Sequence, residues 1–139
     1  MHRTAFSLSL RSFLSRLLLV LLAWSAAGAG AALAAGKPFD AAAFAALQKA
    51  ERPILVFIHA DWCPTCKAQD PLLGELLKQP EFQSFAALKV NFDKQKKVVQ
   101  GFGVRYQSTL IVFHGTREVG RSTGDTDKGS IAALMRQAL

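Results

Sequence analysis

The run Ile54-Leu55-Val56-Phe57-Ile58, followed at once by Trp62-Cys63-Pro64-Thr65-Cys66, decides how the rest of the chain is read. Five consecutive apolar residues form a strand covered on both faces. Pro64 suits the first turn of a helix, where its missing N–H is not needed. A buried strand that delivers a C-x-x-C pair to a helix start sets two thiols one turn apart. That is the geometry of a dithiol that opens and closes a disulfide. Cys63 and Cys66 are the two cysteines of the chain, so thiol chemistry within one molecule involves both.

Upstream of the strand the sequence changes character. Arg3, Arg11 and Arg16 stand without an acid, the apolar run Leu17 to Trp24 follows, and a small-residue stretch ends in Ala32-Leu33-Ala34. This is the pattern of a secretory signal peptide, residues 1–34, cleaved after Ala34. The alternative is an uncleaved anchor over 17–35, whose second half of Ala and Gly adds little hydrophobicity. No cysteine lies near the cleavage site, so a lipoprotein anchor is excluded. The segment's removal leaves 105 of the 139 residues, room for one domain over 35–139. Without its three arginines, 14 Lys and Arg face 10 acids, and the net charge of +7 falls to +4. Lys94, Lys96 and Lys97 read as a solvated helix face. With no basic-aromatic stripe beside them, nucleic acid is not expected as a partner.

Export also changes how the cysteines read. A structural staple between positions three apart would close a tiny loop and stabilise the fold little, because the loop-entropy effect grows with loop length. A working disulfide is the better reading.

Working outward, Asp40 caps a helix from about Ala41 to Gln48. The helix from Pro64 carries Leu72, Leu73, Leu76 and Leu77 as its apolar stripe, with a kink expected at Pro71. A short turn through Phe82 and Phe85 precedes a strand over Leu88 to Phe92. A helix over Lys94 to Phe102 stops at Gly103. Thr109 to Phe113 is a buried strand, His114-Gly115-Thr116 a turn, and Arg117 to Ser122 a half-exposed strand. Thr126 or Asp127 caps a last helix with Ile131, Leu134, Met135 and Leu139 facing the core. The expected order is αβαβαββα, an α/β domain with a central mixed sheet flanked by helices.

Trp62-Cys63-Pro64-Thr65-Cys66-Lys67 with Pro71, Lys89 in Lys89-Val90-Asn91-Phe92-Asp93, Gly103-Val104-Arg105, and Gly124 with Lys128-Gly129 together resemble the thioredoxin-fold family over essentially the whole exported domain. The resemblance implies a thiol–disulfide oxidoreductase acting on protein disulfides. It implies Cys63 at the helix N-cap as nucleophile, favoured as thiolate by the helix N-terminus, with Cys66 resolving the mixed disulfide. Trp62, Pro64, Thr65, Ser108 and Thr109 would frame the substrate groove. Ala60-Asp61-Trp62-Cys63 is similar to the C-terminal domain of the membrane reductant carrier DsbD, which suggests a membrane electron donor of that type.

Two departures stand out. The family's buried Asp, which takes the proton from the second cysteine, is replaced by Phe57. Its cis-proline facing the cysteines is replaced by Ser108, and a trans bond is expected there. Pro64-Thr65 places no cation between the cysteines, which favours a reductase or isomerase over a strong oxidant. Two other classes stay open. Cys63, Cys66 and His59 could offer a soft site for Zn or Cu(I), although His59 reads first as a packed strand residue and His114 lies at the far end of its strand. A non-catalytic module could use the same groove to bind a partner segment. No cofactor is implied, and one small domain is most simply a monomer.

Overall fold

The computed structural model describes residues 36–139; the expected signal peptide lies outside them. The elements follow the order β1 (Lys37–Pro38), α1 (Ala41–Lys49), β2 (Pro53–His59), α2 (Pro64–Leu76), a 3-10 turn (Pro80–Phe82), β3 (Ala86–Asn91), α3 (Lys96–Gly101), β4 (Thr109–His114), β5 (Arg117–Thr123) and α4 (Lys128–Arg136). The five strands form one sheet in the order β1-β3-β2-β4-β5. β2 lies parallel to β3 and antiparallel to β4, so the central strand is the one that leads into the cysteines.

Alternation along β2 divides the hydrophobic interior between the two faces of the sheet. Leu55 and Phe57 join Cys63, Cys66, Leu73, Leu76, Phe82, Leu110, Val112, Ile131 and Met135, the layer filled by α2 and α4. Ile54, Val56 and Ile58 join Leu88, Val90, Val99, Ile111 and Phe113 on the other side. Phe44 of α1 packs edge-on against Phe102 and Phe113, covering that second layer. The continuous apolar run is therefore what a strand buried on both faces requires.

Local chemistry sets the helix ends. Asp40 Oδ1 accepts from Ala43 N–H at 2.8 Å and Asp127 Oδ1 from Ser130 N–H at 2.7 Å, so Asp127, not Thr126, caps the last helix. α2 runs unbroken through Pro71. Gly103, at φ +64°, follows the end of α3 in the left-handed conformation that glycine adopts at low cost.

Four expectations are corrected. β1 is an added strand, two residues long, paired with Leu88 and Lys89. The third helix starts at Lys96 rather than Lys94, because Asn91 Oδ1 accepts from the N–H groups of Asp93 and Lys94 and holds them in a turn. His114 ends β4 instead of opening the turn, and its Nδ1 lies 2.9 Å from Ala138 O. Leu139 is exposed, because α4 ends at Arg136 and the chain then leaves the helical register; Ala138 is buried instead.

Candidate active site

α2 begins at the cysteine pair. Cys63 is its N-cap, Pro64 its first residue, and Cys63 Sγ accepts from Cys66 N–H at 3.1 Å. Cys63 N–H in turn donates to Ala60 O at 3.1 Å, which ties the loop after β2 to the helix start. Both thiols are free, and both residues are buried, at 1% and 0% exposure. Burial, followed by the interaction with Cys63, pushes the Cys66 thiol up to about 11. The backbone N–H groups of Ala60 and Ser108 work against that rise by stabilising the thiolate.

Around the sulfurs the expected groove residues divide. Trp62 is 58% exposed, its Nε1 donating to Asp93 Oδ2 at 2.8 Å. Pro64 is exposed and Thr65 half-buried beside it. Ser108 and Thr109 are buried. The Thr109 hydroxyl donates to Tyr106 O at 2.8 Å and lies 2.9 Å from Thr123 Oγ1, so it pins the loop and the β4–β5 pair together. Sequence reasoning passed over Tyr106, a second exposed aromatic two residues before Ser108.

Ser108 is one of two non-glycine residues with positive φ among the described residues, the other being Glu51. No peptide bond among the described residues is cis, and Ser108 takes φ +56°, the left-handed region that a non-glycine residue enters at a cost of about 1–2 kcal/mol. Its carbonyl accepts from Gly124 N–H at 2.9 Å and from Gln69 Nε2 at 3.2 Å, and its hydroxyl donates to Gln107 O at 2.6 Å. Gln69 is fully buried in α2, one turn after Cys66, and also donates to Asp125 O at 2.8 Å. It too was missed. Its signal was a polar residue at the i+3 position from Cys66, on the face that continues through Leu73 and Leu76.

Beneath the site, Phe57 is buried and lies opposite Lys89 in the register of β2 and β3. Lys89 Nζ sits 5.3 Å from the centre of the Phe57 ring and 2.7 and 2.9 Å from the two oxygens of Asp70. The strand lysine thus takes its carboxylate from the helix instead of from its neighbouring strand. His59 is buried with Nδ1 3.6 Å from Asp61 and Nε2 3.5 Å from Asp70. Burial lowers its pKa, aided by Lys89 and opposed by the two carboxylates, so it is a packed strand residue as the sequence indicated. Among the described residues no three His, Cys, Asp or Glu side chains are grouped to hold a metal ion.

A strand-to-helix C-x-x-C dithiol on the central strand of a β1-β3-β2-β4-β5 sheet has known relatives. A family model described as Thioredoxin matches residues 37–137. The chain belongs to the thioredoxin family. Thioredoxin of Chlamydia caviae is 36% identical to it over 84 residues, 60% of this chain and 80% of that protein. Thioredoxin-like protein 1 of Schizosaccharomyces pombe is 34% identical over 71 residues, but the match spans just 24% of that longer protein. The crystal structure of Trxlp from Edwardsiella tarda EIB202 is similar at a TM-score of 0.69 and 42% identity, covering 70% of this chain and 95% of that one. As in other thioredoxin-family proteins, the dithiol makes this chain a thiol–disulfide oxidoreductase.

Proposed function

We propose that the chain is an exported reductase of protein disulfides that works in the periplasm. The observation that carries this reading is the Cys63–Cys66 pair itself: a nucleophile at the N-cap of α2, hydrogen-bonded by the helix N–H of a buried partner cysteine. Cys63 attacks a partner disulfide and forms a mixed disulfide, releasing one partner sulfur. Cys66 then attacks Cys63 Sγ, closes the Cys63–Cys66 bond and releases the second partner sulfur as a thiol. The partner gains two electrons and two protons, and the dithiol loses them.

Direction rests on what surrounds the sulfurs. Pro64 and Thr65 bring no cation between the cysteines, and Cys66 holds its proton firmly, both of which favour the dithiol's return to a moderate or low potential. Export rests on the basic, apolar and small-residue succession of residues 1–34. A reductase in an oxidising compartment needs electrons from the membrane, and a DsbD-type donor fits that need. A chain this small, with exposed Trp62 beside its buried dithiol, works as a monomer.

The test is equilibration of the reduced chain in graded glutathione buffers, read by thiol alkylation. A potential near about −270 mV supports the reductase; one near about −120 mV makes the chain an oxidase. Reduction by a purified DsbD-type donor domain no faster than by glutathione removes the membrane donor from the scheme.

A further inference from the structure

β1 is two residues long and pairs with Leu88 and Lys89, and beside it lies a groove of about 750 Å³. Ala43 and Ala46 of α1 line it, with Gly74 and Leu77 from the end of α2 and Ala87 and Leu88 of β3. Small side chains leave this space open: a Cβ placed on Gly74 meets no atom within 4 Å. The volume falls within the range of about 300–1,000 Å³ typical of small-molecule sites, and apolar walls with a few polar groups are their usual composition. The parallel register sets Ile54 beside Ala86 at the start of β2, and His59, which leads to the cysteines, beside Asn91. The groove therefore lies at the end of the sheet away from Cys63 and Cys66.

The polar side chains that line it carry one sign. Lys37, Arg52 and Lys78 belong to the lining, and among the described residues no acid does. None of the three has a described carboxylate within ion-pair distance, and residues 1–35 contain no Asp or Glu that could supply one. Glu75, the acid nearest to Lys78 in the sequence, is bound by Lys128 at 2.7 Å. Arg52 is held in place, its Nε and Nη2 donating to Ser84 O at 3.1 and 2.6 Å, which uses part of its fork of donors and none of its charge. Lys78 also suits the end of α2, where a cation is favoured, but Lys37 stands on β1 and serves no helix end.

We propose that this groove binds the anion of a fatty acid, with the acyl chain along the apolar walls and the carboxylate at Lys37, Arg52 and Lys78. Shape favours a single free acid over a membrane surface. Docking on a bilayer needs apolar side chains that protrude into it. The large apolar side chains exposed among the described residues are Trp62, Tyr106 and Leu139, and none of them lines the groove. A concave site takes up one acyl chain, and each buried methylene adds to the affinity. The cations select a charged head over a neutral one, because a hydrogen bond to an ionised acceptor is the stronger kind.

The experiment titrates the full chain with laurate below its micelle-forming concentration, followed by calorimetry and by the shift of a ¹³C-labelled carboxyl. One laurate should bind per chain. Decanoate, two methylenes shorter, should bind about tenfold more weakly. Dodecyltrimethylammonium, which pairs a chain of the same length with the opposite charge, should also bind at least about tenfold more weakly. Gly74→Leu puts a helix-favouring side chain into the open space, so it should keep the fold and lower laurate affinity at least about tenfold. Its reduction of a model peptide disulfide should stay within about twofold of wild type, since the two sites are separate. Lys37→Gln combined with Lys78→Gln should weaken laurate about tenfold and leave the ratio of laurate to decanoate unchanged. No binding of laurate, or equal binding in Gly74→Leu, overturns the proposal. Equal binding of the ammonium amphiphile overturns it as well, since adsorption to apolar surface would then suffice. Should Gly74→Leu fail to fold, the lysine double variant decides, and laurate affinity unchanged in it overturns the proposal. Sedimentation with phosphatidylglycerol vesicles by a chain that ignores free laurate assigns the cations to a membrane surface and overturns it too.

Discussion

Replacing Asp70 by Asn or Lys89 by Met tests whether the carboxylate of α2 has become the counter-ion of the strand lysine. Both Asp70 oxygens lie within 2.9 Å of Lys89 Nζ, and the side chains are 25% and 19% exposed. A fully exposed pair is worth about 0–1 kcal/mol, whereas removing one partner of a fully buried pair costs about 3–5 kcal/mol. Partial exposure discounts the buried figure, so each single variant should lose about 2 kcal/mol. Lys89→Met also gives up the contact with the Phe57 ring, worth roughly 0.5–1 kcal/mol where solvent is near. The double variant leaves no charge stranded and should lose less than the two singles together, with a coupling energy of about 1 kcal/mol. Urea unfolding followed by circular dichroism reads this directly. A loss of about 2 kcal/mol moves the midpoint of a small domain by roughly 1 M. If the single losses add to the double within about 0.5 kcal/mol, Asp70 and Lys89 do not interact and the exchange of counter-ion is wrong.

Asp40→Ala removes the cap on Ala43 N–H and should cost about 1 kcal/mol, seen as a fall of about 4–8 °C in the melting temperature; an unchanged melt means α1 does not rely on that bond. Gly120→Ala would set a Cβ 2.7 Å from Leu134 Cδ1 and 2.9 Å from Gln137 Oε1. Both atoms end flexible side chains that can turn away, so the cost in urea unfolding should stay below about 1 kcal/mol, and a larger loss would show that these side chains are held in place. His59 titrates below its ordinary value in the folded chain, so below that ordinary value the unfolded chain binds more protons and stability falls with falling pH. Urea midpoints measured from about pH 7 to about pH 5 should drop further for the wild type than for His59→Gln, and parallel curves would show that His59 is not the source.

The parts of the molecule legible in the sequence are those written in hydrophobic period and cap chemistry. The run Ile54 to Ile58 gave the central strand, Asp40 the start of α1, and Pro64 behind Cys63 the start of α2. β1 escaped notice because two exposed residues carry no period, and their pairing with Leu88 and Lys89 is a tertiary event. The start of α3 was misplaced because a side chain, Asn91, competed for the backbone. At the site the cysteines were legible by spacing, and the absence of an acid at Phe57 was visible at once. What replaced the missing groups was not. Gln69, Asp70 and Lys89 lie far apart in sequence from the loops and strands they serve, and nothing local marks a buried glutamine as bonded to residue 108 or residue 125.

The left-handed backbone at Ser108 also limits how this sequence can drift. A proline introduced there would need its backbone turned by roughly 120° about φ. The carbonyl now shared by Gly124 and Gln69 would move with it, leaving the glutamine amide nitrogen with Asp125 O as its remaining acceptor. Neither substitution is neutral on its own, so positions 69 and 108 should exchange as a linked pair. Among relatives of this chain, proline at the position of Ser108 is expected to travel with an apolar residue at the position of Gln69, and a serine with a side-chain donor.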